Sequence, residues 1–426
     1  MLDIKLIREN PELVKENIKK KFKDEKLHLV DLIRKKDIDW RNQKQRVDKL
    51  RHDRNSISQE ISKAKKEGKN ADKLMQAAKL IPAKIEEIEK KVGRMHEQIQ
   101  ELLSQLPNIM SDKTPIGKDE SKNVEIKKGG TIPKFDFTPK NHVELAESLK
   151  IADFDNSAKV SGNGFYYLKG DLSLLNQALI RFAIDFMQSR GFEYIETPLM
   201  LREKQIYASM DKKAIEESVY SIKGEDLHLI GTAEQSLLAM HSGDAIPFNS
   251  LPKKYFSYSM CFRKEIGSHG INEKGLWRTH QFNKVEQFVF CLPEQSEKIY
   301  EELLKNSEEI LKELKLPYRI IEICSGDLAD WKFRSHDLEV WRPVLQNYGE
   351  VMSLSNCTDY QARKLNIKFI DKNNERQVLH TLNDTALATS RILVAILENC
   401  QQKDGSIKIP EVLQKYMHDK KVIGKK

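Results

Sequence analysis

The sequence predicts an α+β fold for this 426-residue chain: an antiparallel sheet backed by helices, preceded by an antiparallel α-helical coiled-coil arm. Three observations lead there. Long helix-like stretches alternate with many short strand-like runs, without βαβ spacing and without a G-x-G-x-x-G turn. Residues 71–106 carry an unbroken heptad seam. The charge is divided unevenly: residues 1–110 hold 27 Lys and Arg against 19 Asp and Glu, whereas the other 316 hold 45 of each.

In chain order, residues 3–22 read as one or two short amphipathic helices, broken near Asn10-Pro11. A weaker seam follows over 27–66, through Leu29, Ile33, Trp40, Val47, Leu50, Ile57, Ile61 and Ala64. Glu67-Gly68-Lys69-Asn70 is a turn, with Gly68 as the helix stop. The strong seam then runs Ala71, Leu74, Ala78, Ile81, Ile85, Ile88, Val92, Met95, Ile99, Leu102 and Leu106. Pro82 should kink or weaken this helix, and Pro107 should end it. Two such helices joined by a short turn must run antiparallel, as an arm about 27–106 that projects on the order of 55 Å. Residues 111–140, rich in Pro, Gly, Lys and Asp, read as a linker, which leaves 141–426 as the main domain.

Within 141–426, Leu172–Arg190 and Glu294–Leu314 are amphipathic helices, and Ala386–Gln401 reads as a buried one. Strands are expected at 192–198, 227–230, 254–262, 282–291, 351–355 and 379–382.

Several function classes drop out. The longest apolar run, Ile392–Leu397, is far too short to span a membrane, and no charged-then-apolar leader opens the chain. The five cysteines are scattered without a C-x-x-C pair, so neither a disulfide framework nor a zinc site is expected and a reducing cytoplasm fits. Neither a P-loop nor a Ser-His-Asp signature is present. The basic N-terminal quarter suggests a polyanion, with nucleic acid the usual one.

Residues 262–286 are the most informative stretch. Phe262-Arg263-Lys264-Glu265 is followed by a polar loop with Gly267, Gly270 and Gly275, then by Arg278-Thr279-His280-Gln281-Phe282-Asn283-Lys284-Val285-Glu286. Residues two apart on a strand share a face, so a hairpin here gathers Arg263, Glu265, Arg278, Phe282 and Glu286. That set suits a nucleotide: guanidinium for phosphate, an aromatic face for a base, carboxylates for amino groups or a metal. The bland alternative is a charged hairpin with ordinary ion pairs.

These residues resemble the class II aminoacyl-tRNA synthetases, and within them the seryl-tRNA synthetase family. The resemblance spans the whole chain. It includes the arm, the Gly191–Pro198 segment (similar to motif 1), the 262–286 hairpin (motif 2) and the helix with Arg391 (motif 3). Thr232-Ala233-Glu234, His280–Glu286 and His380-Thr381-Leu382-Asn383 are similar to the seryl branch. Asn383-Asp384-Thr385-Ala386 lacks the glycines common in bacterial members and resembles archaeal or eukaryotic-like forms.

The resemblance implies ATP-dependent activation of L-serine to seryl-adenylate, then transfer to the 3′ end of tRNA(Ser). It leaves open whether tRNA(Sec) is a second acceptor. Implied serine contacts are Thr232, Ala233, Glu234, Arg263, Glu286, Asn383 and Thr385. Implied ATP contacts are Arg263, Lys264, Glu265, Arg278, Phe282, Glu350, Val351, Met352, Ser353 and Arg391. Among these, Arg263 would hold the α-phosphate, Arg278 a β- or γ-phosphate, and Phe282 with Arg391 the two faces of adenine. Glu350 and Ser353 resemble a pair that binds Mg²⁺; no zinc and no protein nucleophile are implied. A homodimer with the arm gripping tRNA is also implied.

Bland readings stand beside these. Thr385 could cap a helix starting at Ala386, Arg391 could be a structural ion pair, and Glu234 a helix-dipole partner. Trp331 and Trp341 read as core. The segment Ala329-Asp330-Trp331-Lys332-Phe333-Arg334 stands where relatives carry small residues, and the sequence offers no account of it. The competing function is a synthetase-like ligase that loads a carrier protein; such relatives lack the long arm.

Overall fold

The computed structural model describes residues 1–210, 212–266 and 274–424, with the backbone alone at 212 and 213. Gly267, Gly270 and His269 lie outside the described residues. The chain divides into two units, Met1–Leu106 and Pro107–Lys426.

The first unit contains helices α1 (Ile4–Glu9), α2 (Pro11–Lys20), α3 (Leu27–Lys66) and α4 (Asp72–Gln105). Asn10 separates the first two: it ends α1, and its side chain accepts from the Leu13 N–H, with Pro11 at the first helical position. Helices α3 and α4 run antiparallel. Lys36 reaches Gln98 at 2.9 Å and Arg51 reaches Glu89 at 2.6 Å, so partner numbers fall as residue numbers rise. Between them Val47, Ile81 and Ile85 form a buried seam flanked by Leu50, Ile57, Ile88 and Val92. Near the end of α4 the seam slips: Leu103 is buried where the heptad frame expects Leu102. A straight helix drifts about 20° per heptad, which suffices to exchange neighbours over five repeats. Helix α4 continues through Pro82.

The second unit is built on a sheet. The helices that position the sheet and the site include α5 (Asp171–Ser189), α6 (Ala233–Ala239), α7 (Ser296–Glu313) and α8 (Thr389–Asn399). The strands of its main sheet are β1 (Val124–Gly129), β2 (Glu193–Tyr194), β3 (Lys253–Phe262), β4 (Gln281–Cys291), β5 (Tyr318–Glu322), β6 (Arg334–Arg342), β7 (Asn347–Thr358) and β8 (His380–Ala388). Among the described residues these eight make one sheet in the order β1-β5-β6-β7-β8-β4-β3-β2. Neighbours are antiparallel except β2, which runs parallel to β3 at one edge.

Strand parity assigns the two faces. On β4, Val285, Val289 and Cys291 enter the main core with Leu175 and Leu179 of α5, Leu303 and Ile310 of α7, and Leu393 and Ile396 of α8. The alternate residues point the other way. Phe288 and Phe290 pack with Ala233, Leu237 and Leu238 of α6 in a second core, and Phe282, Lys284 and Glu286 line a cavity. One period-2 pattern thus builds both cores and the cavity wall.

Two expectations are corrected. The stretch read as a linker contains β1, which pairs with β5. Its Val124 and Ile126 are exposed at the sheet edge, so it lacks the half-buried alternation that marks a strand. The buried helix expected from Ala386 begins instead at Thr389, because Ala386, Leu387 and Ala388 belong to β8 and that strand pairs with Val285 and Lys284 of β4. Pairing overrides the helix preference of Ala and Leu.

Candidate active site

The cavity, of about 420 Å³, is open and lined by polar and charged side chains from β4, β7, β8 and the turns around them. Strand β4 contributes Phe282, Lys284 and Glu286, each two apart. Strand β8 contributes Asn383 and Thr385 by the same rule.

Strand β7 needs a different device. Glu350 and Ser353 are three apart and should face opposite sides of a regular strand. The register with β6 jumps here, with Leu338 opposite Met352 but Glu339 opposite Glu350, so Val351 is an extra residue. This β-bulge returns Glu350 to the side of Ser353, and both line the cavity. A second register shift, between Thr385 and Leu387, leaves Ala386 as the extra residue on β8. It falls next to Thr385, where the strand must also turn toward α8.

Among the described residues, the wall carries three ion pairs. Arg278 Nη1 meets Glu265 Oε2 at 2.7 Å, Arg391 Nη1 meets Glu350 Oε2 at 3.1 Å, and Lys284 pairs with Glu286. Lys284 and Glu286 are both buried, and Thr385 Oγ1 lies 3.5 Å from Glu286 Oε2. Removing either partner of such a pair strands a buried charge. Burial disfavours the Glu350 charge, but the Arg391 guanidinium beside it holds this carboxyl below its ordinary range. Arg263 has its Nε on the Gly231 carbonyl at 3.1 Å and its guanidinium 5.3 Å from the Phe282 ring centre.

Thr232 and Glu234 enter from the start of α6. The Thr232 hydroxyl caps the helix by accepting from the Glu234 N–H at 3.2 Å. Glu234 Oε1 accepts from Gln361 Nε2 at 2.7 Å and from Asn383 Nδ2 at 3.0 Å. Burial first, and then the Glu286 charge, push the Glu234 carboxyl up to about 7.

Most of the residues singled out in the sequence therefore line one cavity: Thr232, Glu234, Arg263, Glu265, Arg278, Phe282, Glu286, Glu350, Val351, Met352, Ser353, Asn383, Thr385 and Arg391. Strand alternation accounts for only part of the 262–286 set. Strand β3 ends at Phe262 and β4 begins at Gln281, so Arg263, Glu265 and Arg278 reach the cavity from the connection. Ala233 and Lys264 are not in the wall: Ala233 is buried in the second core, and the Lys264 N–H binds the Ser218 carbonyl at 2.8 Å. Thr385 lies within β8, four residues before α8, so the cap reading fails.

The sequence reading missed Trp277, Lys284 and Lys332, and it placed Trp331 in the core although this ring lines the cavity. Lys284 was legible, because it alternates with Phe282 and Glu286. Trp277 and Lys332 lie in irregular segments where no period assigns a side.

Comparison with known proteins gives the same frame. Residues 1–110 match the model of the seryl-tRNA synthetase N-terminal domain, and residues 218–400 that of the tRNA synthetase class II core domain (G, H, P, S and T). The serine--tRNA ligase of Methanocella arvoryzae is 46% identical over 98% of this chain and 99% of its own. The chain belongs to the seryl-tRNA synthetase family. The Pyrococcus horikoshii seryl-tRNA synthetase, solved in complex with ATP, superposes with a TM-score of 0.94 at 43% identity, covering 100% of this chain and 99% of that one. The cytoplasmic serine-tRNA ligase of Naegleria fowleri, solved with AMP, gives a TM-score of 0.89 at 32% identity over 100% and 99% of the two chains. The family membership thus extends over both units, arm and sheet alike.

Proposed function

We propose that this seryl-tRNA synthetase family member activates L-serine with ATP and passes the seryl group to tRNA. One observation carries the reading. The polar set Thr232, Glu234, Glu286, Asn383 and Thr385 shares a single cavity with the cations Arg263, Arg278 and Arg391 and with the Phe282 ring. The first set suits a small hydroxylated amino acid, and the second suits a nucleoside triphosphate. Glu234 takes the substrate ammonium, helped by Thr232 and Asn383. Glu286 and Thr385 take the hydroxyl. A pocket with polar groups aimed at a hydroxyl rejects alanine, which would leave them unpaired, whereas threonine is excluded by fit.

The serine carboxylate oxygen bonds to the α-phosphorus, and the bond to the β-phosphate oxygen breaks, releasing pyrophosphate. The ribose hydroxyl of the terminal tRNA adenosine then attacks the seryl carbonyl, and AMP leaves. Arg263 stabilises charge on the α-phosphate, Arg278 a distal phosphate, and Phe282 with Arg391 the adenine. Glu350 and Ser353 offer a carboxylate and a hydroxyl on one face of β7, the hard oxygen donors that Mg²⁺ takes along with phosphate and water. Bound there, Mg²⁺ would neutralise developing phosphate charge. Catalysis is alignment plus charge stabilisation.

The unit Met1–Leu106 is the tRNA-binding part. Its excess positive charge supports a polyanion partner, and two paired helices leave little room for a small-molecule pocket. Residues 141–426 form the catalytic domain. A homodimer is supported by the parallel edge strand β2 and by the exposed apolar residues Leu199 and Met200 just after it in sequence. Light scattering tests it, with twice the chain mass expected. Serine-dependent exchange of pyrophosphate into ATP, run against all the amino acids, tests the central reading. Faster exchange with threonine or alanine would overturn it.

A further inference from the structure

Among the described residues, the cavity wall holds five cations: Arg263, Arg278, Lys284, Lys332 and Arg391. Arg278, Lys284 and Arg391 each have a carboxylate partner. Among the described residues, Arg263 and Lys332 have none at ion-pair distance; Arg263 donates to the Gly231 carbonyl and Lys332 to the Ser335 and Ser353 hydroxyls. Arg263 already has a phosphate role in the reading above, and Lys332 has none.

Lys332 sits in the segment that the sequence left unexplained. Its N–H closes a turn onto the Ala329 carbonyl at 3.1 Å. The turn is pinned from behind. The Asn108 N–H donates to the Asp330 carbonyl at 2.6 Å, Asn108 Nδ2 to the Trp331 carbonyl at 3.2 Å, and the Ser111 N–H to the Phe333 carbonyl at 2.9 Å. The Phe333 N–H continues onto the Asn356 carbonyl of β7 at 2.7 Å. This frame directs the Lys332 side chain to the cavity. Its ammonium lies 3.1 Å from Ser335 Oγ and 3.3 Å from Ser353 Oγ. Ser335 gives its own proton to the Leu354 carbonyl at 2.7 Å, so toward Lys332 it can only accept. The ammonium is therefore oriented by hydroxyls with no counter-charge in contact. It remains within electrostatic reach of the Asp337, Glu350 and Glu234 carboxyls.

We infer that Lys332 is a further substrate-binding cation of this site, taking the oxygen anion where the amino-acid carboxylate meets the α-phosphate. The inference rests on the reading that the cavity joins serine to ATP. If Glu234 holds the substrate ammonium and Glu350 faces the phosphates, the carboxylate and the phosphorus it attacks must lie between them. Lys332 lines the same cavity, with its ammonium on Ser353, on the face of β7 that Glu350 shares. An ammonium with three donors can spend two on Ser335 and Ser353 and present the third to the anion.

The test uses the full-length enzyme and the variants Lys332→Ala and Lys332→Gln. Serine KM comes from pyrophosphate exchange, and the ATP dissociation constant from calorimetry without serine. Thermal melting first establishes that each variant is folded; Lys332→Gln keeps a donor for the two serines and serves if Lys332→Ala melts early. The expected result is a rise of about tenfold or more in one constant for both variants, as for loss of a charged hydrogen bond. A rise in serine KM assigns the contact to the carboxylate, and a rise in the ATP constant assigns it to the phosphate. Both constants within about threefold of wild type in a folded variant would overturn the inference, and so would full rescue by the uncharged Gln. Absence of serine-dependent exchange in the wild-type enzyme would instead overturn the proposed function, so the two failures are distinguishable.

Discussion

The Asn383 side-chain amide donates to the Glu234 carboxylate at 3.0 Å, joining residues 149 positions apart in the chain. Asn383 stands on β8, and Glu234 opens α6 on the cavity face of the sheet. Gln361 donates to the same carboxylate oxygen at 2.7 Å. The Gln361 bond favours the anion, but burial and the neighbouring Glu286 charge outweigh it.

That arrangement yields a pH prediction. Burial and the Glu286 charge raise the Glu234 carboxyl to about 7, so at lower pH the free enzyme is protonated there and has no anion for the substrate ammonium. The kcat/KM for serine should therefore rise with pH up to about 7 and level off above it. Asp337 titrates in the same range, because burial and the Glu350 charge push it up to about 7 as well. Glu234→Gln separates the two. The variant should bind serine weakly, and any remaining profile should lose the limb that belongs to Glu234.

Thr385→Ala should weaken serine use by about 1–3 kcal/mol in kcat/KM, through loss of one buried polar partner of the hydroxyl. Thr385 lies within β8 and caps no helix, so the melting temperature should change little. The ATP dissociation constant, measured by calorimetry, should stay at the wild-type value. A large fall in melting temperature with unchanged serine KM would mean that the threonine serves the fold.

Arg263→Ala should slow adenylate formation by about 3–4 kcal/mol, as for loss of one group aimed at developing charge. Arg263→Lys should restore little, since a point charge cannot reproduce a planar fork that also faces the Phe282 ring and donates from Nε to the Gly231 carbonyl. Single-turnover formation of seryl-adenylate measures this directly. Near-normal rates in Arg263→Ala would refute the phosphate role.

Removing the unit Met1–Leu106 should preserve serine-dependent pyrophosphate exchange and abolish efficient tRNA charging. Binding of tRNA by the intact chain should weaken steeply with salt, as contacts to phosphate do. Equal charging of tRNA by the truncated and intact enzymes would show that the arm serves another partner. Loading of a carrier protein would favour the alternative ligase reading.

The arm was legible in the sequence because a helix pair is a local problem. The seam of α4, the turn after Lys66 and the break at Asn10 each follow from residues within a few turns of one another. The face of β4 was legible for the same reason: Phe282, Lys284 and Glu286 alternate with core residues along one strand. Long-range pairing decided the rest. The identity of β8 depends on its partner β4, which holds Ala386, Leu387 and Ala388 in a strand against their helical preference. The shared side of Glu350 and Ser353 depends on an extra residue, and a bulge exists only relative to the neighbouring strand. The direction of Lys332 depends on a turn pinned by Asn108 and Ser111, more than 200 residues away along the chain. Periodicity along the chain determines which side chains share a face of one element; only the packed sheet determines which faces meet, because register, bulges and pinned turns are set by hydrogen bonds between distant segments.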